Sequence, residues 1–226
     1  MDLKLLSALN AARTDRKAAV LVTDLDGAAP ARLVTDANLA GDALEEPIRA
    51  ALRSGKSGVV GETRVFLTVQ VPPAQMVIIG AVHISQALVP MARLLGYDPV
   101  IVDPRTAFAT PERFPDVTLK AEWPDVALPP LGVDRYTAFI ALTHDPKIDD
   151  PALLHAFEKD CFYIGALGSR RTHAKRVERL TAAGASPEAV ARIKAPVGLN
   201  IGAISPAEIA VSILAEVTQA WRQGIA

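Results

Sequence analysis

The chain has 226 residues, half of them hydrophobic, and its 24 Lys and Arg against 25 Asp and Glu leave a net charge of −1. That length buries a sizeable core, as one large domain or a Rossmann-sized domain with an appendage, and the composition excludes a disordered chain. Near-neutral charge gives no reason to expect nucleic acid or an anionic membrane as partner, no apolar stretch is long enough to span a bilayer, and a single cysteine, Cys161, excludes a disulfide framework or a cysteine-rich metal site.

The first residues lack the apolar run and cleavage site of a signal peptide, so a soluble protein in a reducing cytoplasm is expected. Residues 1–14 predict a short amphipathic helix with Leu3, Leu6 and Leu9 on one side, followed by an apolar strand over 18–22. Asp24-Leu25-Asp26-Gly27 reads as a hairpin turn with a return strand over 32–35. A helical stripe of Leu44, Ile48, Ala51 and Leu52 and a strand over 64–71 complete a small α+β unit, residues 1–71. The double proline Pro72-Pro73 suits neither a helix nor a sheet interior, so residues 72–75 are expected to be a linker.

From 76 to 226 the rhythm changes to strands alternating with helices. Strands are expected near 76–79, 99–102, 117–119 and 136–142. Ala87, Leu88, Met91, Leu94 and Leu95 mark the inward face of the first crossover helix, which Pro90 should kink. The proline-rich span 123–130 reads as an irregular arm, and Asp149 or Asp150 as the cap of a helix with Pro151 in its first turn. The terminal helix starts at the capping box Ser205-Pro206-Ala207-Glu208 and should turn Ile209, Ile213, Val217 and Trp221 inward. The fold class is therefore α/β, a Rossmann-type, mostly parallel sheet with helices on both faces behind the α+β unit. Ligands belong at the carboxyl ends of such strands, where Gly80, Asp103, Thr143-His144-Asp145 and Gly165 are expected to converge.

The most informative stretch is residues 162–179. An aromatic and β-branched run ends in Gly165-Ala166-Leu167-Gly168-Ser169 and flows into a helix whose basic residues are Arg170, Arg171, Lys175, Arg176 and Arg179. Strand, tight turn and helix aim backbone N–H groups at whatever sits above the turn, and the local positive charge suits a phosphate. The plain alternative is a strand-to-helix turn followed by a solvated basic face. Gly80-Ala81-Val82-His83 also opens a helix after a strand, and Asp103 ends the next strand where dinucleotide folds hold a ribose hydroxyl, although Val82 occupies the place of the second glycine. Asp103 can equally cap a turn with Pro104, and His83 can be structural. His144 is the better placed histidine, whereas Asp149 and Asp150 read as helix-capping residues. No hydrolase elbow, phosphate-binding P-loop or zinc-binding helix motif is present.

Five motifs in order carry a resemblance. They are Val77-Ile78-Ile79-Gly80-Ala81-Val82-His83, Val102-Asp103-Pro104-Arg105, Leu142-Thr143-His144-Asp145, Gly165-Ala166-Leu167-Gly168-Ser169-Arg170-Arg171-Thr172, and Pro196-Val197-Gly198-Leu199-Asn200 through Ser205-Pro206-Ala207-Glu208. Together, over residues 76–218, they resemble the XdhC/CoxI family, the xanthine dehydrogenase accessory proteins. The resemblance implies a Rossmann-type C-terminal domain and a chaperone rather than a catalyst. Such a chaperone binds the molybdenum cofactor, as molybdopterin or its dinucleotide, assists its sulfuration with a cysteine desulfurase, and passes it to an apo molybdenum hydroxylase. On that reading Gly165, Gly168, Ser169 and Arg170 would hold phosphate with Arg171 as a second cation. Gly80 and Asp103 would line the crevice, and His83 and His144 would contact the pterin or the metal's oxygen ligands. Two departures stand out: family members often read Gly-x-Gly-His where this chain has Gly80-Ala81-Val82-His83, and residues 1–71 lack the cysteine-containing N-terminal pattern of many members. The competing readings are an NAD(P)-dependent oxidoreductase using the same crevice and an adaptor that docks a partner without ligand. The small N-terminal unit has little core of its own, which is compatible with a homodimer.

Overall fold

The computed structural model describes residues 2–224; the outermost ends of the two expected domains, residue 1 and residues 225–226, lie outside them. The chain divides into two compact units. One is formed by the chain up to Pro72 together with the end of the last helix from Arg222, the other by Pro73–Trp221.

The first unit holds α1 (Leu3–Thr14), β1 (Ala19–Asp24), β2 (Arg32–Thr35), α2 (Asp36–Leu39), α3 (Glu45–Ser54), β3 (Gly58–Val59) and β4 (Val65–Gln70). Its antiparallel sheet has the order β2-β1-β4-β3, and Ile48 of α3 packs with Val20, Val34 and Leu67 in a separate small core. The leucine stripe of α1 is not a core face: Leu3 stays 78% exposed and only Ala12 is buried. Residues 71–74 carry no regular structure.

The second unit continues with β5 (Gln75–Ile79), α4 (His83–Leu94), β6 (Asp98–Val102), β7 (Thr118–Lys120), α5 (Pro124–Ala127), β8 (Thr137–Ala141), α6 (Pro146–Glu158), β9 (Tyr163–Ala166), α7 (Arg170–Ala182), α8 (Pro187–Ala191), β10 (Ile193–Lys194) and α9 (Pro206–Gly224). All six strands are parallel in the order β10-β9-β8-β5-β6-β7, the doubly wound Rossmann arrangement. After their first residues, Gln75 and Thr137, the central strands β5 and β8 are apolar because both of their faces are covered. On one face Met76, Ile78 and Ile140 pack under Leu88 of α4 and Ile213 and Val217 of α9. On the other, Val77, Ile79 and Phe139 pack under Leu153 of α6 and Leu180 of α7.

Several local expectations give way to tertiary packing. The buried side of α4 is Ile84, Ser85, Leu88, Val89 and Ala92; of the expected face Leu88 is buried and Ala87 and Met91 pack against the core, whereas Leu94 is 88% exposed and Leu95 is exposed as well. The assigned helix also continues through Pro90. The proline-rich span forms short turns of helix, α5 and a 3₁₀ turn at Pro129–Leu131. Most consequential, α6 begins one turn earlier than expected. Asp145 is its N-cap, accepting from the Lys147 N–H, with Pro146 at the first position, so Asp149 lies inside the helix and is buried. The chain offers two Asp-Pro pairs, Asp145-Pro146 and Asp150-Pro151, and a proline in the first turn is tolerated in both.

Candidate functional site

The sheet order reverses at β5, which pairs with β6 on one side and β8 on the other. The turns leaving β5, β8 and β9 therefore meet at the switch point, where open parallel sheets bind ligands. Gly80 leaves β5 with φ 120°, and a Cβ there would stand 3.0 Å from Thr143 Cγ2, so only glycine fits. His144 leaves β8 in the left-handed region, φ 62°, with its side chain exposed. Gly168 follows β9 with φ 133°, and a Cβ on it would lie 3.7 Å from His144 Nδ1. The exposed His83 begins α4. Ser169 caps α7 by accepting from the Thr172 N–H at 3.2 Å, and Arg170 and Arg171 follow it, both exposed.

Two expected site residues sit differently. Gly165 is an interior residue of β9, and a Cβ there would meet Val197 Cγ2 at 2.5 Å and the Tyr163 ring at 2.8 Å. Its missing side chain makes room for packing, and it stands outside the turn. Asp103 ends β6 but is fully buried, and its carboxylate is occupied. It accepts from the Ala81 N–H at 2.7 Å, from Arg105 Nη2 at 2.7 Å, and from the Arg105 N–H and Nε at 2.9 Å. Burial pushes this carboxyl up, but the Arg105 side chain and the two N–H groups outweigh it and hold it below the usual carboxylate range. The Ala81 carbonyl in turn accepts from Arg113 Nη1 at 3.0 Å, and Ser85 donates to the Gly80 carbonyl at 2.6 Å. Ala81's backbone groups and the Gly80 carbonyl are thus bonded within the chain.

Around α7 the opposite holds. A cavity of about 270 Å³ lies between α6 and α7, lined among others by His144, Asp149, Arg171, Lys175, Arg176 and Arg179. Arg176 is only 2% exposed; its Nη2 donates to the Leu167 carbonyl at 2.8 Å, but Nε and Nη1 have no hydrogen-bond partner. Burial lowers its pKa, against the attraction of Asp149 and Asp150. Asp149 is 1% exposed, accepting from the Thr143 hydroxyl at 2.6 Å and from the His144 N–H at 3.0 Å. It thereby holds the turn that keeps His144 left-handed. Burial raises its pKa against those bonds and the nearby Arg176 charge. Arg179 is bound to Asp150 through Nε at 2.6 Å and Nη2 at 3.0 Å.

Asp149 and Arg176 are the site residues that charge pattern alone does not reveal. Arg176 had a signal, since it lies four residues before Leu180 on the inward stripe of α7. Asp149 had one in the earlier Asp-Pro pair. Among the described residues no group of three or more His, Cys, Asp and Glu is arranged to hold a metal ion, and no helix is long and apolar enough to cross a membrane. Cys161 is buried, which pushes its thiol up to about 12.

Residues 76–217 match the model of the XdhC Rossmann domain. The chain is 35% identical over 146 residues to the molybdenum cofactor insertion chaperone PaoD of Escherichia coli, covering 65% of this chain and 40% of that protein. It is 31% identical over 158 residues to a probable xanthine dehydrogenase subunit of Bacillus subtilis, covering 70% of this chain and 46% of the relative. The chain spans less than half the length of the curated relatives it matches. A crystal structure from Bacillus halodurans, described as a xanthine dehydrogenase, superimposes with a TM-score of 0.66 at 25% identity, over 99% of this chain and 66% of the other.

Proposed function

The chain belongs to the XdhC family, and on that premise we propose that it is an accessory protein that holds the molybdenum cofactor and delivers it to a xanthine dehydrogenase-type apo-enzyme. The observation that carries this reading is the meeting of Gly80, His144 and Gly168, all with positive φ, at the ends of three neighbouring parallel strands, beside a helix that opens with Arg170 and Arg171. The Ala81 and His144 N–H groups are taken by Asp103 and Asp149, so the anion falls to the turn from Gly168 into α7, and the phosphate of molybdopterin or the pyrophosphate of its dinucleotide suits such a helix start. The groups present fit: Gly168, at φ 133° and tight against Thr172, forms a turn that suits glycine, and the exposed guanidinium groups supply charge. Gly168, Ser169, Arg170 and Arg171 would hold the phosphate, and His83 and His144 would face the pterin end. When bound, the group supplies the metal centre of the recipient hydroxylase; this chain binds, orients and shields it. Sulfuration with a cysteine desulfurase as sulfur donor, a homodimeric state and a cytoplasmic setting complete the proposal.

The strand order favours one other reading, a nicotinamide-dependent oxidoreductase, since dinucleotides bind at this switch point in the same arrangement. Against it stands Asp103, which a ribose could reach only by displacing Arg105 from a buried ion pair. The test is an anaerobic titration of the protein with molybdenum cofactor and, in parallel, with NADH. Saturable cofactor binding at micromolar affinity or tighter, about −8 kcal/mol, with no NADH response supports the accessory role, and a paired Arg170→Ala, Arg171→Ala variant should bind at least tenfold more weakly. An NADH response without cofactor binding would replace it with the oxidoreductase reading.

A further inference from the structure

We propose that the cavity between α6 and α7, which adjoins the switch-point crevice and shares His144 and Arg171 with it, is an anion site that takes one compact phosphate-type oxyanion beside the buried guanidinium of Arg176. The carrying observation is an imbalance. Arg176 is only 2% exposed and lines the cavity, yet its Nε and Nη1 donate to nothing, and a buried charged group whose donors are unmet is costly for a fold to keep, even with Asp149 nearby. Its one bond, to the Leu167 carbonyl, fixes it directly beneath the Leu167-Gly168 turn without neutralising it. The remaining walls add Arg171, Lys175 and Arg179 against a single carboxylate, Asp149. That carboxylate is already engaged by the Thr143 hydroxyl and the His144 N–H. Asp150, the other nearby acid, is bound to Arg179. An excess of fixed positive charge therefore surrounds a guanidinium with two unmet donors, Nε and Nη1, which lie on different edges and each offer a single charge-assisted bond to an oxyanion oxygen. At about 270 Å³ the cavity falls just below the range of pockets that enclose whole small molecules, about 300–1,000 Å³. It suits one charged group better than an entire pterin dinucleotide.

The shared chemistry has two sources, free inorganic phosphate and the phosphate end of a larger ligand. Inorganic phosphate is titrated into the full-length, ligand-free protein while the Arg Nε–H resonances are followed by NMR. The Arg176 Nε–H is expected to shift saturably with a Kd at or below about 1 mM. Lys175→Glu, a change at an exposed position, should weaken binding at least tenfold, and Arg176→Met should abolish it. Lys194→Ala, at an exposed position that does not line the cavity, should leave it within twofold. A linear, non-saturating shift, or equal affinity in wild type and Lys175→Glu, overturns the site, and the Lys175 variant keeps the test decisive should Arg176→Met fail to fold. Repeating the titration with molybdenum cofactor present separates the sources: loss of the phosphate response assigns the site to the cofactor's own phosphate, and an unchanged response assigns it to a free oxyanion. Because phosphate alone is the probe, failure here leaves the cofactor titration standing, and failure there leaves this site standing.

Discussion

The turns after β5 and β9 are built to the same plan and finished in opposite ways. Each leaves a parallel strand through a glycine with large positive φ, Gly80 at 120° and Gly168 at 133°, and each enters a long helix. Each has one buried charge beneath it, Asp103 under the first and Arg176 under the second. Asp103 is surrounded by donors from Ala81 and Arg105, whereas Arg176 has a single acceptor, the Leu167 carbonyl. The lesson is that in one fold a buried charge with complete internal bonding is a structural brace, and one left half-bonded is a place for a ligand.

That contrast can be broken experimentally. The largest effect is expected from Asp103→Ala, which returns the half-buried Arg105 guanidinium to water but leaves the buried Ala81 N–H without its acceptor, a loss of about 1–3 kcal/mol, read by urea unfolding. A loss below about 1 kcal/mol would mean that Asp103 is no brace.

The second effect concerns pH, because the two buried carboxylates shift in opposite directions. Asp103 is held low, so its contribution is present above the unfolded value of about 3.9 and is lost as pH falls through its folded value. Asp149 is pushed up, so its contribution is full below the unfolded value and is lost as pH rises through its folded value. Unfolding curves of wild type and Asp149→Asn across pH 4 to 7, roughly the range above an ordinary carboxylate, should show the wild type losing stability relative to the variant as pH rises. Parallel curves would show that Asp149 carries no raised pKa.

The smallest effect should come from the other buried charge. Arg176→Met removes one hydrogen bond, a desolvated cation and the attraction felt by Asp149, terms of mixed sign, so stability without ligand should fall by less than for Asp103→Ala. A loss as large as that of Asp103→Ala would erase the distinction between the two turns.

How much of this was legible in the sequence depends on the range of the force involved. Ser169 as the cap of α7 was readable, since its oxygen reaches an N–H only three residues on. Gly80 and Gly168 were readable as turn glycines. Gly165 was misplaced in the turn because its reason for being glycine, the approach of Val197 and the Tyr163 ring, involves the segment beyond β10. Asp149 was read as a cap because two Asp-Pro pairs compete locally, and only the burial of α6 against the sheet selects the first.

By itself the sequence determined the alternation of strands and helices and the turn glycines Gly80 and Gly168, because these follow from period, capping and the conformational freedom of glycine, all short-range. Only the tertiary structure decided which charges lie under cover and which of those are answered. Arg176 looks like its neighbours Lys175 and Arg179 when read along the chain. It becomes singular because burial is a sum over segments distant in sequence, here α6, α7 and the turn at Leu167 around one guanidinium.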